Sequence, residues 1–258
     1  MNYIIKLVAP HFVIGKILSV GKAAFDILLL LIFKPSKRTI QFVWLILQVK
    51  PEYTMLSTNR LINLYNLVQE ANALGLPGDI VECGVWNGGS AAIMGVACQD
   101  DKLFKIRNLW LFDSFQGLPR PGKRDGKRER DSYFEGWNKG DIEKVVKIFN
   151  KLGVSLANVK IIAGWFDSTL SATDINTIAV LHIDADWYDS VKAVLEKLYE
   201  KVVPGGFVVV DDYWLWQGWR VAVKDYIKEH KIEGIVMKKV ESAVYFQKPM
   251  MSSHITFL

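Results

Sequence analysis

From about Thr54 onward, short and almost wholly apolar runs alternate with segments whose apolar positions recur at helical spacing. "STNRLINLYNLVQEANAL" has helical spacing, with Ser57 or Thr58 as N-cap. "GDIVECGV" predicts a strand, "GGSAAIMGVACQ" a helix after a glycine turn, and "NLWLFDSF" a second strand ending in an acid. "DIEKVVKIFNKLG" predicts a helix, "VKIIAGWF" and "IAVLHIDAD" strands, "SVKAVLEKLYEKV" a helix and "GGFVVVDDY" a strand. A helix over 219–229 and a closing hairpin in "GIVMKKVESAVYFQK" complete the series. Strands that are apolar on both faces and alternate with helices imply an α/β fold, a mostly parallel sheet covered on both sides. Ligands of such a sheet collect at the carboxyl ends of its strands.

The N-terminal part has a different pattern. Residues 3–33 are strongly apolar but interrupted by Lys6, Lys16, Lys22 and Asp26, so no uncharged run approaches the ~20 residues of a membrane span. No small-residue cleavage site follows a compact apolar core, which argues against a secretory signal. On a helix, Lys16, Ser19, Lys22 and Asp26 share one side and leave a broad apolar face that includes Phe25 and Ile27 to Phe33. Two readings follow: a helix packed on the domain or on a second subunit, or an interfacial helix on a membrane. "KPSKR" then breaks the pattern before a second apolar segment from Ile40 to Val49. Residues 1–52 are expected to form an apolar helical extension, and 53–258 the main domain.

Composition bounds the function. Half of the 258 residues are apolar and 23% charged, and a formal charge of +5 argues only weakly for anionic partners and does not indicate nucleic acid. Cys83 and Cys98 read as buried free thiols, which fits a reducing, cytoplasmic compartment, and their spacing forms no zinc pattern.

The candidate chemistry lies at the strand ends. Asp184, Asp186 and Asp189 follow one apolar strand within a few positions, and Asp211 and Asp212 end another. Carboxylates converging at adjacent strand ends repel one another unless protonated or neutralised by a cation. Hard oxygen donors with no Cys/His set favour Mg²⁺, Mn²⁺ or Ca²⁺ over zinc. Asp184 and Asp186 alternate with Ala185, which puts both on one side if the strand continues that far. Asp189 is expected to cap the helix near Ser190, and His182 to be a core or supporting residue. The turn from Glu82 through Gly84 and Gly88 to Ser90 is neither the three-glycine dinucleotide pattern nor a phosphate loop. Asp113 ends the next strand, where a carboxylate can accept from ribose hydroxyls. A nucleoside-bearing cofactor without a pyrophosphate suits both features.

"GDIVECGVWNGGS", "LFDSFQGLP", "GWFDSTL", "LHIDADWYDS" and "VPGGFVVVDDY" resemble, in order and approximate spacing, the macrocin O-methyltransferase family over roughly residues 53–247. The resemblance implies a Rossmann-like class I methyltransferase fold with a C-terminal antiparallel hairpin, S-adenosylmethionine as methyl donor, Mg²⁺ or another hard divalent cation, and a sugar or glycosylated metabolite as acceptor. It further implies that Glu82, Gly84, Val85, Gly88 and Ser90 surround the amino-acid part of the cofactor. Asp113 would hold the ribose, with Ser114 and Phe115 beside the nucleoside, and Gly164, Trp165 and Phe166 would border the adenine. Asp184, Asp211 and Asp212 would bind the metal, and Asp186 would be the general base. Trp214, Trp216 and Trp219 form an aromatic cluster after the Asp pair that is expected to face substrate.

Asp-x-Asp after a strand also occurs in metal-dependent glycosyltransferases and in phosphatases with an aspartate nucleophile. The first reading leaves the Glu82–Ser90 turn and Asp113 unused, and the second expects the motif earlier in the chain. A non-catalytic, membrane-associated module with the same fold is the remaining alternative. The loop 119–140 carries Arg120, Lys123, Arg124, Lys127, Arg128, Arg130 and Lys139. It reads either as a solvated face or as a lid toward an anionic acceptor.

Overall fold

The computed structural model describes residues 36–99 and 107–250. The expected helix over 3–33, with its packing or membrane role, lies outside them. Helix α1 (Lys37–Val49) starts at Ser36, whose side chain accepts from the Thr39 N–H. One face of α1, comprising Phe42, Leu45, Ile46 and Val49, enters the core, while Ile40, Trp44 and Leu47 are exposed. Helix α2 (Thr58–Ala73) is capped by Ser57, as its sequence predicts.

Strand β1 (Asp79–Cys83) leads through the glycine turn into α3 (Gly89–Gln99), and β2 (Leu109–Asp113) follows. The basic loop contains a short helix, α4 (Lys127–Ser132), which the sequence does not announce because it has no apolar periodicity. Helix α5 (Ile142–Lys151), β3 (Val159–Ala163), the single turn α6 (Phe166–Thr169), β4 (Ile178–Ile183), α7 (Tyr188–Leu198) and β5 (Val202–Val210) come next. Helix α8 (Gln217–Glu229) and a hairpin of β6 (Lys238–Val240) and β7 (Ala243–Gln247) complete the fold.

The seven strands form one sheet in the order β3-β2-β1-β4-β5-β7-β6. The first five are parallel, and β7 runs antiparallel to both β5 and β6. Alternate strand residues serve opposite cores. Ile80, Leu111, Val180 and Val209 pack with α1, α2, α3 and α5, whereas Val81, Phe112, Leu181 and Val210 pack with α7 and α8. Fully burying one such side chain contributes about 1.5–3 kcal/mol, so the parallel strands need the continuous apolar runs seen in their sequence.

The chain proceeds outward from β1 to β2 and β3, then returns to place β4 on the other side of β1. Strand order therefore reverses between β1 and β4, the point at which an open α/β sheet leaves a crevice beyond its carboxyl ends. Gly84, with φ +95°, sits at that reversal, and a Cβ there would stand 1.8 Å from the Asp184 carbonyl oxygen. Only glycine lets β1 and β4 end this close together. Neither cysteine is in a disulfide: Cys83 is buried and Cys98 half-buried.

Candidate active site

A cavity of about 530 Å³ opens over the carboxyl ends of β1, β2, β4 and β5. Gly84, Trp86, Asp113, Ser114, Gly164, Trp165 and Phe166 line one part of it, and Asp184, Asp186, Asp211 and Asp212 another. The two candidate half-sites thus share one space. Each of these four strands is followed by a non-glycine residue in the left-handed region: Trp86 (φ +49°), Phe115 (+53°), Asp186 (+57°) and Asp212 (+47°). Such conformations cost on the order of 1–3 kcal/mol each and persist where surrounding contacts enforce them.

Asp113 shows that enforcement. Its Oδ2 accepts the N–H groups of Val85 and Trp86, both at 2.8 Å, and its Oδ1 accepts that of Phe115 at 2.7 Å. One carboxylate therefore fixes the turn after β1 and its own strand end. Three of its roughly four accepting directions are used, and one remains on Oδ1. Burial raises the Asp113 pKa, opposed by the three N–H donors.

The other residues expected near the cofactor take different places. Val85, Gly88, Ser90 and Phe115 are buried outside the cavity lining, as is Glu82. Gly89 donates its N–H to Tyr53 O at 2.8 Å, and Asn87 Nδ2 donates to Glu52 O at 3.0 Å. Residues 52 and 53 thus cover part of the turn. Fully buried Glu82 meets the equally buried His182, Oε1 to Nδ1 at 2.8 Å, across the β1–β4 register. His182 is accordingly a core residue.

Asp184 and Asp186 both reach the cavity, though not by strand alternation. Strand β4 ends at Ile183, and a tight turn with Trp187 N–H on Ala185 O carries Asp186 round. Asp186 is held by Trp219, whose indole N–H donates to its backbone carbonyl. The expected tryptophan cluster is therefore divided. Trp216 lines the cavity, Trp219 is buried beneath it, and Trp214 is exposed under the Arg220 and Lys239 cations.

One oxygen each of Asp184, Asp211 and Asp212 lies within 4.8 Å of the others. Burial and the neighbouring carboxylates push the Asp184 pKa well above its usual value. The same causes raise Asp186 to about 8, with Asp212 and Asp211 its main neighbours. Burial raises Asp211 to about 6 although Arg60 opposes the shift. Arg60 is a residue that sequence reasoning missed. Its Nη1 donates to Asp211 Oδ2 and, at 2.9 Å, to Asp212 Oδ1, which also accepts from Ser242 Oγ at 2.9 Å. The acids thus have a neutralising partner in the protein itself. No local signal marks Arg60, which lies in the first turn of a helix about 150 residues earlier in the chain.

The third wall is aromatic. Trp187 stacks edge-on with Trp137 and with Trp216, each at 6.1 Å between centroids, and Phe134 stacks on Trp137 at 5.5 Å. Trp137 comes from the loop 119–140, which is fastened to the cavity rim. Trp187 Nε1 donates to Pro119 O at 2.7 Å, and Asp125 accepts from Tyr188 N at 2.8 Å and Gly122 N at 2.7 Å. Asp125 therefore caps α7; Asp189, in its first turn, makes no cap and instead lines the cavity. Of the basic loop residues, Arg120 lines the cavity and the rest point to solvent or pair elsewhere, as Arg124 does with Asp225 at 3.0 Å.

Among the described residues no helix is long and apolar enough to cross a membrane. The profile of the macrocin-O-methyltransferase (TylF) family matches residues 35–248, which takes in α1 as well as the span of the resemblance. Demethyldecarbamoylnovobiocin O-methyltransferase of Streptomyces niveus is 34% identical over 200 residues, 76% of each chain. The 8-demethyl-8-(2,3-dimethoxy-alpha-L-rhamnosyl)-tetracenomycin-C 4'-O-methyltransferase of Streptomyces olivaceus is 32% identical over 204 residues, covering 78% of this chain and 77% of that one. The solved structure of the O-methyltransferase NovP superposes with a TM-score of 0.69 at 32% identity, over 77% of this chain and 83% of that one. Sheet order, strand-end acids and these matches agree: the chain belongs to the macrocin O-methyltransferase family of S-adenosylmethionine-dependent class I enzymes.

Proposed function

We propose that this enzyme methylates a sugar hydroxyl of a glycosylated small molecule with the help of a hard divalent cation. The observation that carries the reading is the shared cavity, with Asp113, Gly84 and Trp165 on one side and the four strand-end carboxylates on the other. One relative is named for methylating a rhamnosyl-bearing metabolite, which supports a sugar acceptor here. Family membership sets aside the glycosyltransferase, phosphatase and non-catalytic readings of Asp184-Ala185-Asp186.

The residues fit both ligands. A cavity of this size lies within the range for small-molecule sites, roughly 300–1,000 Å³. Asp113 retains one accepting direction for a ribose hydroxyl, and Gly164, Trp165 and Phe166 offer a flat border for an adenine. Asp184, Asp211 and Asp212 supply only carboxylate oxygens, one from each lying within 4.8 Å of the others, the hard donor set that a divalent cation takes. When bound, S-adenosylmethionine supplies a methyl group on a sulfonium, and a divalent cation supplies Lewis acidity for the acceptor hydroxyl.

The chain itself then has three tasks. Asp186 accepts the hydroxyl proton as the acceptor oxygen gains the methyl group. The wall of Trp137, Trp187 and Trp216 offers apolar faces for the C–H side of a sugar ring. The fastened loop 119–140 excludes water and narrows the approach of the hydroxyl, so that alignment contributes to the rate. The test is release of S-adenosylhomocysteine from S-adenosylmethionine with a panel of glycosides and nucleotide-linked deoxyhexoses, with Mg²⁺ or with EDTA. Mg²⁺-dependent release with at least one glycoside is expected. Equal release in EDTA after metal-free purification contradicts the cation, and release only with unglycosylated phenols contradicts the sugar.

A further inference from the structure

Arg60 stands where a helix disfavours a cation. It is the third residue of α2, in the turn where the helix dipole favours acids, and that turn carries no acidic residue. Its charge is also largely withdrawn from water, with 14% of the side chain exposed. Burial opposes that charge, yet Asp211, Asp212, Asp184 and Glu241 outweigh the penalty and raise its pKa. What compensates Arg60 is therefore the acid cluster at the ends of β4 and β5.

The converse also holds. Asp184, Asp211 and Asp212 bring three formal charges to one point, and Arg60 removes one of them. Two charges remain on these three acids, and Asp186 adds another in the same cavity, so the site still attracts a divalent cation. Arg60 reaches Asp211 and Asp212 with the same nitrogen, Nη1, so it spans the two acids from within the cluster rather than from its rim. Any cation held by these carboxylates meets a fixed positive charge a few ångströms away.

We propose that Arg60 is a built-in counter-cation. It holds Asp211 and Asp212 together when the divalent site is empty, and it weakens divalent binding so that the ion exchanges readily. This rests on the metal reading above. Removal of Arg60 has two linked effects: the metal-free protein loses stability through uncompensated carboxylates, and the site gains divalent affinity through lost repulsion.

Calorimetric titration with MgCl₂ alone, with no acceptor or methyl donor, tests this in the wild-type chain and in Arg60→Gln, Arg60→Lys and Asp184→Asn. Arg60→Gln is expected to bind Mg²⁺ at least about tenfold more tightly than wild type, and Arg60→Lys, which keeps the charge, within about threefold of it. The melting temperature of Arg60→Gln is expected to fall without metal and to rise further than that of wild type when Mg²⁺ is added. If Arg60→Gln is unfolded without metal, millimolar Mg²⁺ restores its fold; failure of that rescue overturns the proposal. Unchanged or weaker Mg²⁺ binding by Arg60→Gln also overturns it, provided wild type binds and Asp184→Asn binds less. If wild type and Asp184→Asn give the same titration, the metal reading itself has failed and the proposal falls with it.

Discussion

The indole N–H of Trp219 donates to the backbone carbonyl of Asp186. A fully buried side chain from α8 thereby anchors a residue whose φ of +57° an aspartate seldom adopts. This contact fixes the backbone that carries the carboxylate proposed for proton transfer. Trp219→Phe keeps most of the apolar volume and removes the donor. It is expected to lower stability by about 1–3 kcal/mol and turnover by about tenfold or more, with S-adenosylhomocysteine affinity nearly unchanged. Chemical denaturation and steady-state kinetics on the same preparation check this, and wild-type turnover would show that the anchor does not matter for Asp186.

Asp113 is tied to the turn after β1 by the Val85 and Trp86 N–H groups, so its effect should extend beyond the ribose. In Asp113→Asn the amide loses the charge and turns one donor toward backbone donors. Both a lowered melting temperature and S-adenosylhomocysteine affinity weaker by about 1–3 kcal/mol are expected. Loss of affinity with an unchanged melting temperature would mean that the carboxylate serves the ligand alone.

The proposed function puts Trp137, which stacks with Phe134 and Trp187, on the acceptor side of the cavity. Trp137→Ala should therefore raise KM for the glycoside by about tenfold, leaving the dissociation constant for S-adenosylhomocysteine within about twofold. A fall in cofactor affinity instead would place the aromatic wall on the donor side.

The thiols give a prediction independent of the ligands. Burial raises the Cys98 pKa to about 11, and that of Cys83 also rises, again chiefly through burial. Because the thiolate is the reactive form, only about one Cys98 in a thousand is ionised at pH 8. Both thiols should be nearly inert to a disulfide reagent in the folded protein at pH 8 and react promptly in denaturant. Rapid reaction of the native protein would show that the core opens at α3 (Cys98) or at the end of β1 (Cys83).

Much of the fold was legible because each core strand is apolar on both faces and each helix has its own period. The strand-end acids were legible for the same reason, since a charge directly after a buried run has few places to go. The contributions of Arg60, Asp125 and Trp137 were not. Arg60 meets Asp211 from a helix about 150 positions away, and Asp125 caps α7 from 63 positions away, relationships that only the closed fold creates. The tryptophans at 214, 216 and 219 look alike in sequence, yet one is exposed, one lines the cavity and one is core, because the turn before α8 rotates them to different sides. The strand period also misled at Asp186, where a turn does what alternation was expected to do.

Under the proposed function Asp186 takes the acceptor's proton beside a cation held by Asp184, Asp211 and Asp212. The most direct measurement is the rate of methyl transfer by Asp186→Asn at saturating Mg²⁺, S-adenosylmethionine and the glycoside identified by product release, alongside Asp184→Asn. A loss of roughly 10²–10⁴-fold that added Mg²⁺ does not recover is expected for Asp186→Asn, with partial recovery for Asp184→Asn. Wild-type transfer by Asp186→Asn, or its rescue by excess Mg²⁺, would contradict the assignment.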